Sequence, residues 1–403
     1  MRIIDVDAHL HEPLDWLEQT DPALAAEIGP PARFMDVAGA LFGATDPAFQ
    51  ALPEPQRPKG PYDSVLPGFV RHLELTDELQ PEHFERSSGD PLYDPDARLR
   101  FCDERGIDLQ FLNPTFLVEP IIQLARARRM DLMPQLRQAW NRWATSQTSE
   151  HSDRLIPVTQ IDLTDLDWTI REMTRMREAG SRAFVLPESP VSGGKGGMGK
   201  SLTHPDFEPL WSAAEDLGMA AFAHVGFGRE KINRGWANNG RDDLYTFTLL
   251  SSIANAQTGP MLLLAAMAYD GVFERHPNLT LVVQEVGIDW IPALLAAMDR
   301  TIGRFGPALE GVDRGPSPIG DTYALPLAPS EYIHRQVRVT NLAASQPLRP
   351  VIDVVPDLLC FSSDYPHVEG TDDAVAICER QLVDLPESVQ ANFFGGVGDL
   401  IGV

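Results

Sequence analysis

Four places in this sequence put acid–base or metal-ligating side chains where an apolar run ends. The first is Asp5-Val-Asp7-Ala-His9-Leu-His11-Glu12, near the start of the chain. The second is His224, after Met-Ala-Ala-Phe-Ala, and the third is Glu285, after LTLVVQ. The fourth is Ser362-Ser363-Asp364-Tyr365-Pro366-His367. Asp7 and His9 stand two residues apart, so in an extended strand they project from one face. A carboxylate and an imidazole on one face suit a divalent cation. Alone, each signal is weak. A short Asp-x-His arises often by chance, a strand-end histidine is more often a hydrogen-bonded structural residue, and an Asp before Tyr-Pro can simply open a turn. Together they form a site if the fold brings these strand ends to one place.

The rest of the pattern supplies such a fold. Strand candidates are residues 2–6, 107–113, 155–161, 182–186, 219–224, 279–285, 336–341 and 358–363. Between them run helical patterns at 132–147, 165–178, 205–217 and 289–300, with Leu136, Trp140, Trp143 and Ala144 at helical spacing in the first. Gly180 and Gly218 mark helix ends. Eight strands alternating with helices give a parallel sheet, and eight repeats favour an α/β fold of the closed (β/α)8 TIM barrel type. No Gly-x-Gly-x-x-Gly follows the first strand, which weighs against a dinucleotide-binding sheet. The Gly-rich run 193–197 lacks phosphate-loop spacing and reads as a mobile loop.

Residues 1–403 read as one barrel domain with an irregular insertion after the first strand, at about 20–95. Prolines such as Pro30, Pro31, Pro53, Pro55, Pro58, Pro61 and Pro67 disfavour long regular elements there. In a barrel the strand C-termini form the working face, so closure sets strand eight, with Asp364, beside strand one, with Asp7 and His9.

Composition narrows the partners. The net charge of −25 opposes binding to nucleic acid or anionic lipid. Three scattered cysteines, Cys102, Cys360 and Cys378, give neither a disulfide framework nor a Cys/His zinc motif. The apolar stretch 261–269 is about half of a membrane span and reads as a buried helix. The N-terminus has no signal-peptide core, and the expected location is the cytoplasm.

The segments DVDAHLHEP (5–13), RGIDLQFLNPT (105–115), DRLIPVTQIDL (153–163), HPDFEPLWSAAEDLGMAAFAHVG (204–226), QEVGIDWIPALLAAMD (284–299) and FSSDYPHVEG (361–370) carry a family resemblance. The chain resembles the amidohydrolase-2 family, the branch that includes aminocarboxymuconate semialdehyde decarboxylase and the γ-resorcylate-type decarboxylases. The resemblance implies one divalent metal ion held by Asp7, His9, His224 and Asp364, with Zn²⁺ expected first and Mn²⁺ or Mg²⁺ as alternatives. It also implies a homodimer. Two departures stand out. Many members carry a histidine after strand six where this chain has Glu285, and no lysine ends strand four (FVLPES), so a carbamate-bridged pair of metals is not expected.

Hydrolysis of a small organic substrate is the first expectation. A bound cation lowers the pKa of its water, and Asp364 takes the proton and returns it to the leaving group. His367 and Glu285 are further acid–base candidates. Arg229 and Arg234 are expected to hold a substrate carboxylate, with Trp236 and His11 also near substrate. The second expectation is non-oxidative decarboxylation of an aromatic or unsaturated acid, against which the missing strand-six histidine counts. A barrel without catalysis is the third.

Overall fold

In the computed structural model, residues 1–13, 15–29, 91–187, 189–191, 199–225, 234–237, 240, 250, 253, 257–309, 325–343, 346–367 and 370–403 are described. Among them run eight strands: β1 Ile4–Leu10, β2 Leu109–Pro114, β3 Leu155–Pro157, β4 Ala183–Leu186, β5 Ala220–His224, β6 Leu281–Gln284, β7 Val337–Thr340 and β8 Leu359–Cys360. All pair in parallel, as β1–β2–β3 and as β4 through β8 in order. The expected (β/α)8 barrel is the architecture. Seven strands are shorter than the apolar runs suggested, since burial continues past the paired residues at positions such as Val158, Ile161 and Phe361. β1 is the exception, extending to Leu10 rather than stopping at residue 6.

Two seams join the two sheets. Thr159 bridges Phe184, donating its N–H to Ala183 O (2.9 Å) and accepting from Val185 N (3.0 Å). On the other side, Val6 N donates to Phe361 O (3.3 Å), Asp364 N to Asp7 O (2.7 Å) and His9 N to Tyr365 O (2.8 Å). The second seam carries the backbone of three of the residues singled out in the sequence.

Alternation sorts each strand into inner and outer faces. Ile4, Val6, Leu109, Phe111, Val185, Phe222 and Val282 share the small inner core, with the Phe111 and Phe222 rings edge to face at 5.2 Å. Phe184, Leu186, Ala221, Leu281 and Val283 face outward, into a larger core shared with the helices. By the same parity Asn113, His224, Gln284, Ser362 and Asp364 turn inward at the strand ends.

β1 obeys this rule only because of a bulge. Ile4 pairs with Leu109 and Asp5 with Gln110, and pairing resumes at Ala8 with Leu112 and His9 with Asn113. β1 thus uses three residues where β2 uses two. An extra residue exchanges the two faces of a strand. Ile4 and Val6 fill the inner core below the bulge, while Ala8 packs against Leu112 and Leu155 outside it. Asp7 and His9 therefore take the inward face.

The helical layer follows the amphipathic pattern. Met133–Thr148 buries Leu136, Trp140, Trp143 and Ala144, and Glu208–Leu217 stops at Gly218, which takes the left-handed conformation (φ 59°) open to glycine. Gly259–Tyr269 is a helix burying Leu263, Leu264, Met267 and Ala268, as the 261–269 run implied. No helix among the described residues is long and apolar enough to cross a membrane. At the start of the expected insertion Trp16–Thr20 and Pro22–Ile28 are short helices, and after it the chain runs into helix Pro95–Arg105. The remainder of the insertion and the 193–197 loop lie outside the described residues.

The turn after β8 depends on Gly370. A Cβ there would press into the backbone carbonyls of Asp364 and Ser363. Gly370→Ala should cost about 1–3 kcal/mol through this overpacking. Chemical denaturation would measure it, and an unchanged midpoint would show that the turn relaxes freely.

Candidate metal centre

The inward parity and the bulge deliver the expected ligands to one spot. Asp7 Oδ1 lies 3.7 Å from His9 Nε2 and 3.4 Å from His224 Nε2. Asp364 Oδ1 lies 3.3 Å from His9 Nε2. Glu285 Oε2 is 3.3 Å from His224 Nε2, and His367 Nδ1 is 3.3 Å from Asp364 Oδ1. Ligand-type atoms of Asp7, His9 and His224 all lie within 4.8 Å of one another, as do those of His9, Glu285, Asp364 and His367. The structure thus brings together every residue expected as ligand or acid–base group.

Their aim is set by hydrogen bonds behind them. His9 Nδ1 faces Pro114 O at 3.1 Å and His224 Nδ1 faces Val225 O at 2.7 Å. A carbonyl only accepts, so each Nδ1 carries the proton and each Nε2 lone pair points into the cluster. Asn113 Nδ2 donates to Asp7 Oδ1 (2.8 Å), and Gln284 Nε2 donates to Val6 O (2.5 Å) at the bulge. Outside β1, Asp5 accepts from Ser363 N (2.9 Å), Ser363 Oγ (2.6 Å) and Gln110 Nε2 (2.8 Å). Burial pushes its carboxyl up to about 6. Arg98 donates to Gln110 Oε1 (2.7 Å) and to His9 O (3.0 Å), with its guanidinium 4.7 Å from the Tyr365 ring centroid. Asp5 and Arg98 thereby tie β1, β2 and the end of β8 into one unit under the site.

Glu285 and Asp364 are held in the left-handed region, at φ 58° and 52°. Such backbone costs a non-glycine residue about 1–3 kcal/mol and persists where the surroundings dictate it. Here Thr340 Oγ1 accepts from Glu285 N (3.1 Å), and Asp7 O accepts from Asp364 N.

The electrostatics fit a cation. Three carboxylates, from Asp7, Asp364 and Glu285, crowd two buried imidazoles. Asp7 Oδ2, His9 Nε2 and both Asp364 oxygens are buried without a hydrogen bond among the described residues. Leaving such atoms uncompensated is costly, whereas a divalent ion satisfies all of them at once. Burial, then His367, hold the His9 pKa well below the usual histidine value, which favours the neutral ligand form. For His224 burial works the same way, but the combined pull of Asp7, the Val225 carbonyl and Asp364 carries it above that value. A proton on His224 Nε2 lies between Asp7 and Glu285, where a cation's charge would otherwise fall. The donor set is mixed imidazole and carboxylate, with the thiols of Cys102, Cys360 and Cys378 buried elsewhere. It suits Zn²⁺, Mn²⁺ or Mg²⁺.

The outer candidates fare differently. His11 packs against Phe116 and Tyr93, with ring centroids at 5.0 and 5.9 Å, and lines a separate cavity with Pro13, Arg98 and Trp143. Trp236 is 78% exposed in a short turn of 3₁₀ helix, Arg234–Ala237. Arg229 and the Arg234 side chain lie outside the described residues. Trp211 and Trp290 are core residues. Sequence reasoning missed Asn113, Thr115, Gln284 and Thr340. Each stands at or just past a strand end, and that position was the available signal. Glu12, at the end of the first run, is buried and accepts from Trp140 Nε1.

The family model described as Amidohydrolase matches residues 4–396. None of the curated proteins compared matches the chain. Among solved structures, an amidohydrolase from Mycobacterium avium subsp. paratuberculosis K-10 is similar at TM-score 0.65 and 22% identity, covering 100% of this chain and 99% of its own. The 5-carboxyvanillate decarboxylase LigW from Sphingomonas paucimobilis aligns at TM-score 0.58 and 19% identity, covering 100% and 99%. A dihydroxybenzoic acid decarboxylase from Polaromonas sp. JS666, with bound manganese and the inhibitor 2-nitroresorcinol, aligns at TM-score 0.60 and 14% identity, covering 100% and 97%. With a family match spanning nearly all of its length, the chain belongs to the amidohydrolase family.

Proposed function

We propose that the chain is a metal-dependent, non-oxidative decarboxylase of an aromatic or unsaturated carboxylic acid. The observation that carries this reading is the convergence of Asp7, His9, His224 and Asp364, with His367 Nδ1 3.3 Å from Asp364 Oδ1. Those four would hold one divalent ion. Two structural neighbours named as decarboxylases of ring carboxylic acids support the reaction type, and the manganese in one of them moves Mn²⁺ ahead of the Zn²⁺ first expected. Hydrolysis, first in the sequence, becomes the second reading. The missing strand-six histidine counted against decarboxylation, but His367 brings an imidazole to the cluster from the β8 end.

When bound, a divalent cation supplies Lewis-acid polarisation of the substrate's oxygen atoms. The protein's own groups handle the proton. Asp364 delivers it to the carbon that bears the carboxylate. The bond to the carboxyl carbon breaks, its electron pair stays on the substrate carbon and forms the new C–H bond, and CO₂ leaves. His367 returns a proton from Nδ1 to Asp364. Its side chain is 23% exposed, so solvent can reload it. A carboxylate and one proton thus become CO₂ and the shortened product. Glu285 faces the same space and suits a hydroxyl donor on the substrate. Arg229 and Arg234 remain the proposed holders of a substrate carboxylate, with Trp236 a further candidate.

Hydrolysis is favoured by one observation, the Glu285 carboxylate beside His224, which could take a proton from water. ¹³C-carboxyl-labelled 5-carboxyvanillate and dihydroxybenzoates separate the two reactions. Labelled CO₂ is expected. Turnover of esters or amides with ¹⁸O incorporated from water, and no CO₂ from the acids, would establish hydrolysis instead. Asp364→Asn and His367→Asn should each lower kcat by about 10²–10⁴-fold with the fold intact.

Elemental analysis tests the ligand set independently of substrate. About one divalent ion per chain is expected, absent in Asp7→Ala and His224→Ala. Asn113→Ala should keep the ion with affinity weakened about 10–100-fold, as for other residues that orient a ligand. A full equivalent in Asp7→Ala would move the ligands elsewhere.

A further inference from the structure

Glu12 is 2% exposed and takes no part in the cluster described above. Its carboxylate accepts three N–H groups: Phe116 N at 2.7 Å, Thr115 N at 3.3 Å and Trp140 Nε1 at 2.5 Å. The first two open the loop after β2, and the third belongs to helix Met133–Thr148, so one buried carboxylate pins that loop between the end of β1 and the helix layer. The pinned dipeptide Pro114-Thr115 serves two imidazoles. Pro114 O faces His9 Nδ1 at 3.1 Å, and Thr115 Oγ1 faces His367 Nε2 at 3.3 Å. The His9 and His367 rings lie face to face, centroids 3.6 Å apart and planes 32° apart. The other nitrogen of His367 meets the Asp364 carboxylate at 3.3 Å.

We propose that Glu12 and Thr115 are positioning residues that orient His367 for proton transfer with Asp364. Asp364 turns a negatively charged oxygen toward Nδ1 at 3.3 Å, and that charge attracts an N–H and repels a lone pair, so it favours the proton on Nδ1 of His367. Nε2 is then the acceptor, and the Thr115 hydroxyl is the donor that holds it so. Glu12 acts one step behind, fixing the loop from which that hydroxyl reaches. The catalytic meaning of the arrangement rests on the proton-transfer reading above; the arrangement itself can be measured without it.

The direct measurement is ¹⁵N NMR of histidine-labelled, zinc-loaded protein without substrate, with the His367 signals assigned by their loss in His367→Asn. The wild type should show a single Nδ1–H form with Nε2 hydrogen-bonded. Thr115→Val should shift the Nε2 signal toward that of an unbonded imidazole nitrogen and mix the two tautomers, and Thr115→Ser should restore the wild-type pattern. Glu12→Gln sets an amide against the same N–H donors and should move the signal in the same direction. If Glu12→Gln does not fold, the threonine pair still decides. On any turned-over aromatic acid, Thr115→Val should lower kcat about tenfold with KM unchanged, well short of losing an acid–base group outright. His367 signals identical in wild type and Thr115→Val would overturn the proposal. Absence of CO₂ release, with the tautomer shift present, would count against decarboxylation and leave the positioning role standing.

Discussion

Three carboxylates, from Asp7, Asp364 and Glu285, meet around two buried imidazoles at one end of this barrel, and much of the surrounding structure serves to hold them there. Two like charges about 4 Å apart repel by roughly 4 kcal/mol at the effective dielectric of a protein site. Nothing local to those side chains would choose such a cluster. It is imposed by a bulge in β1, by two residues held in left-handed backbone, and by a seam in which Asp364 N and Asp7 O share a hydrogen bond. Buried polar networks on the outer side of β1, from Asp5 to Ser363 and from Arg98 to the carbonyl of His9, stiffen that frame. The cost is local and the reward is chemical: a preorganised set of donors that needs little rearrangement to compensate a divalent charge.

Much of this was legible in the sequence, because the rules involved are short-range. Asp7 and His9 sit two apart, and His224, Glu285 and Asp364 end apolar runs, so periodicity alone placed them at strand ends and barrel closure placed those ends together. The bulge was not legible. It exists only in the pairing of β1 with β2, more than 100 residues away, and a strand read by itself carries no register. The burial of Glu12 was not legible for the same reason. Its partners Thr115, Phe116 and Trp140 lie 103, 104 and 128 residues along the chain, and no local pattern marks a carboxylate as buried. His367 was a candidate from the sequence, but the approach of its ring to His9 depends on the path of the chain after β8.

The replacement of a strand-six histidine by Glu285 changes the charge of the site more than its shape. A carboxylate adds negative charge and an acceptor where an imidazole would offer a neutral donor or acceptor. Under the reading proposed above, His367 at the end of β8 takes over that acid–base capacity. Sequence comparison at one position therefore understates what the site retains.

The two sheets of the barrel share the residues of the cluster. Asp7 and His9 come from the three-stranded sheet, while His224, Glu285 and Asp364 come from strands or strand ends of the five-stranded one. Between β3 and β4 the sheets are joined by the pairing of Thr159 with Phe184 and by the Ser181 hydroxyl, which bonds to Pro157 O and Thr159 Oγ1. Whatever occupies the centre is gripped from both halves at once, so its binding energy is also cohesion across the opposite seam. An ion bound there would stabilise the folded barrel by its binding free energy, so conditions that strip the centre would lower the stability of the whole cylinder.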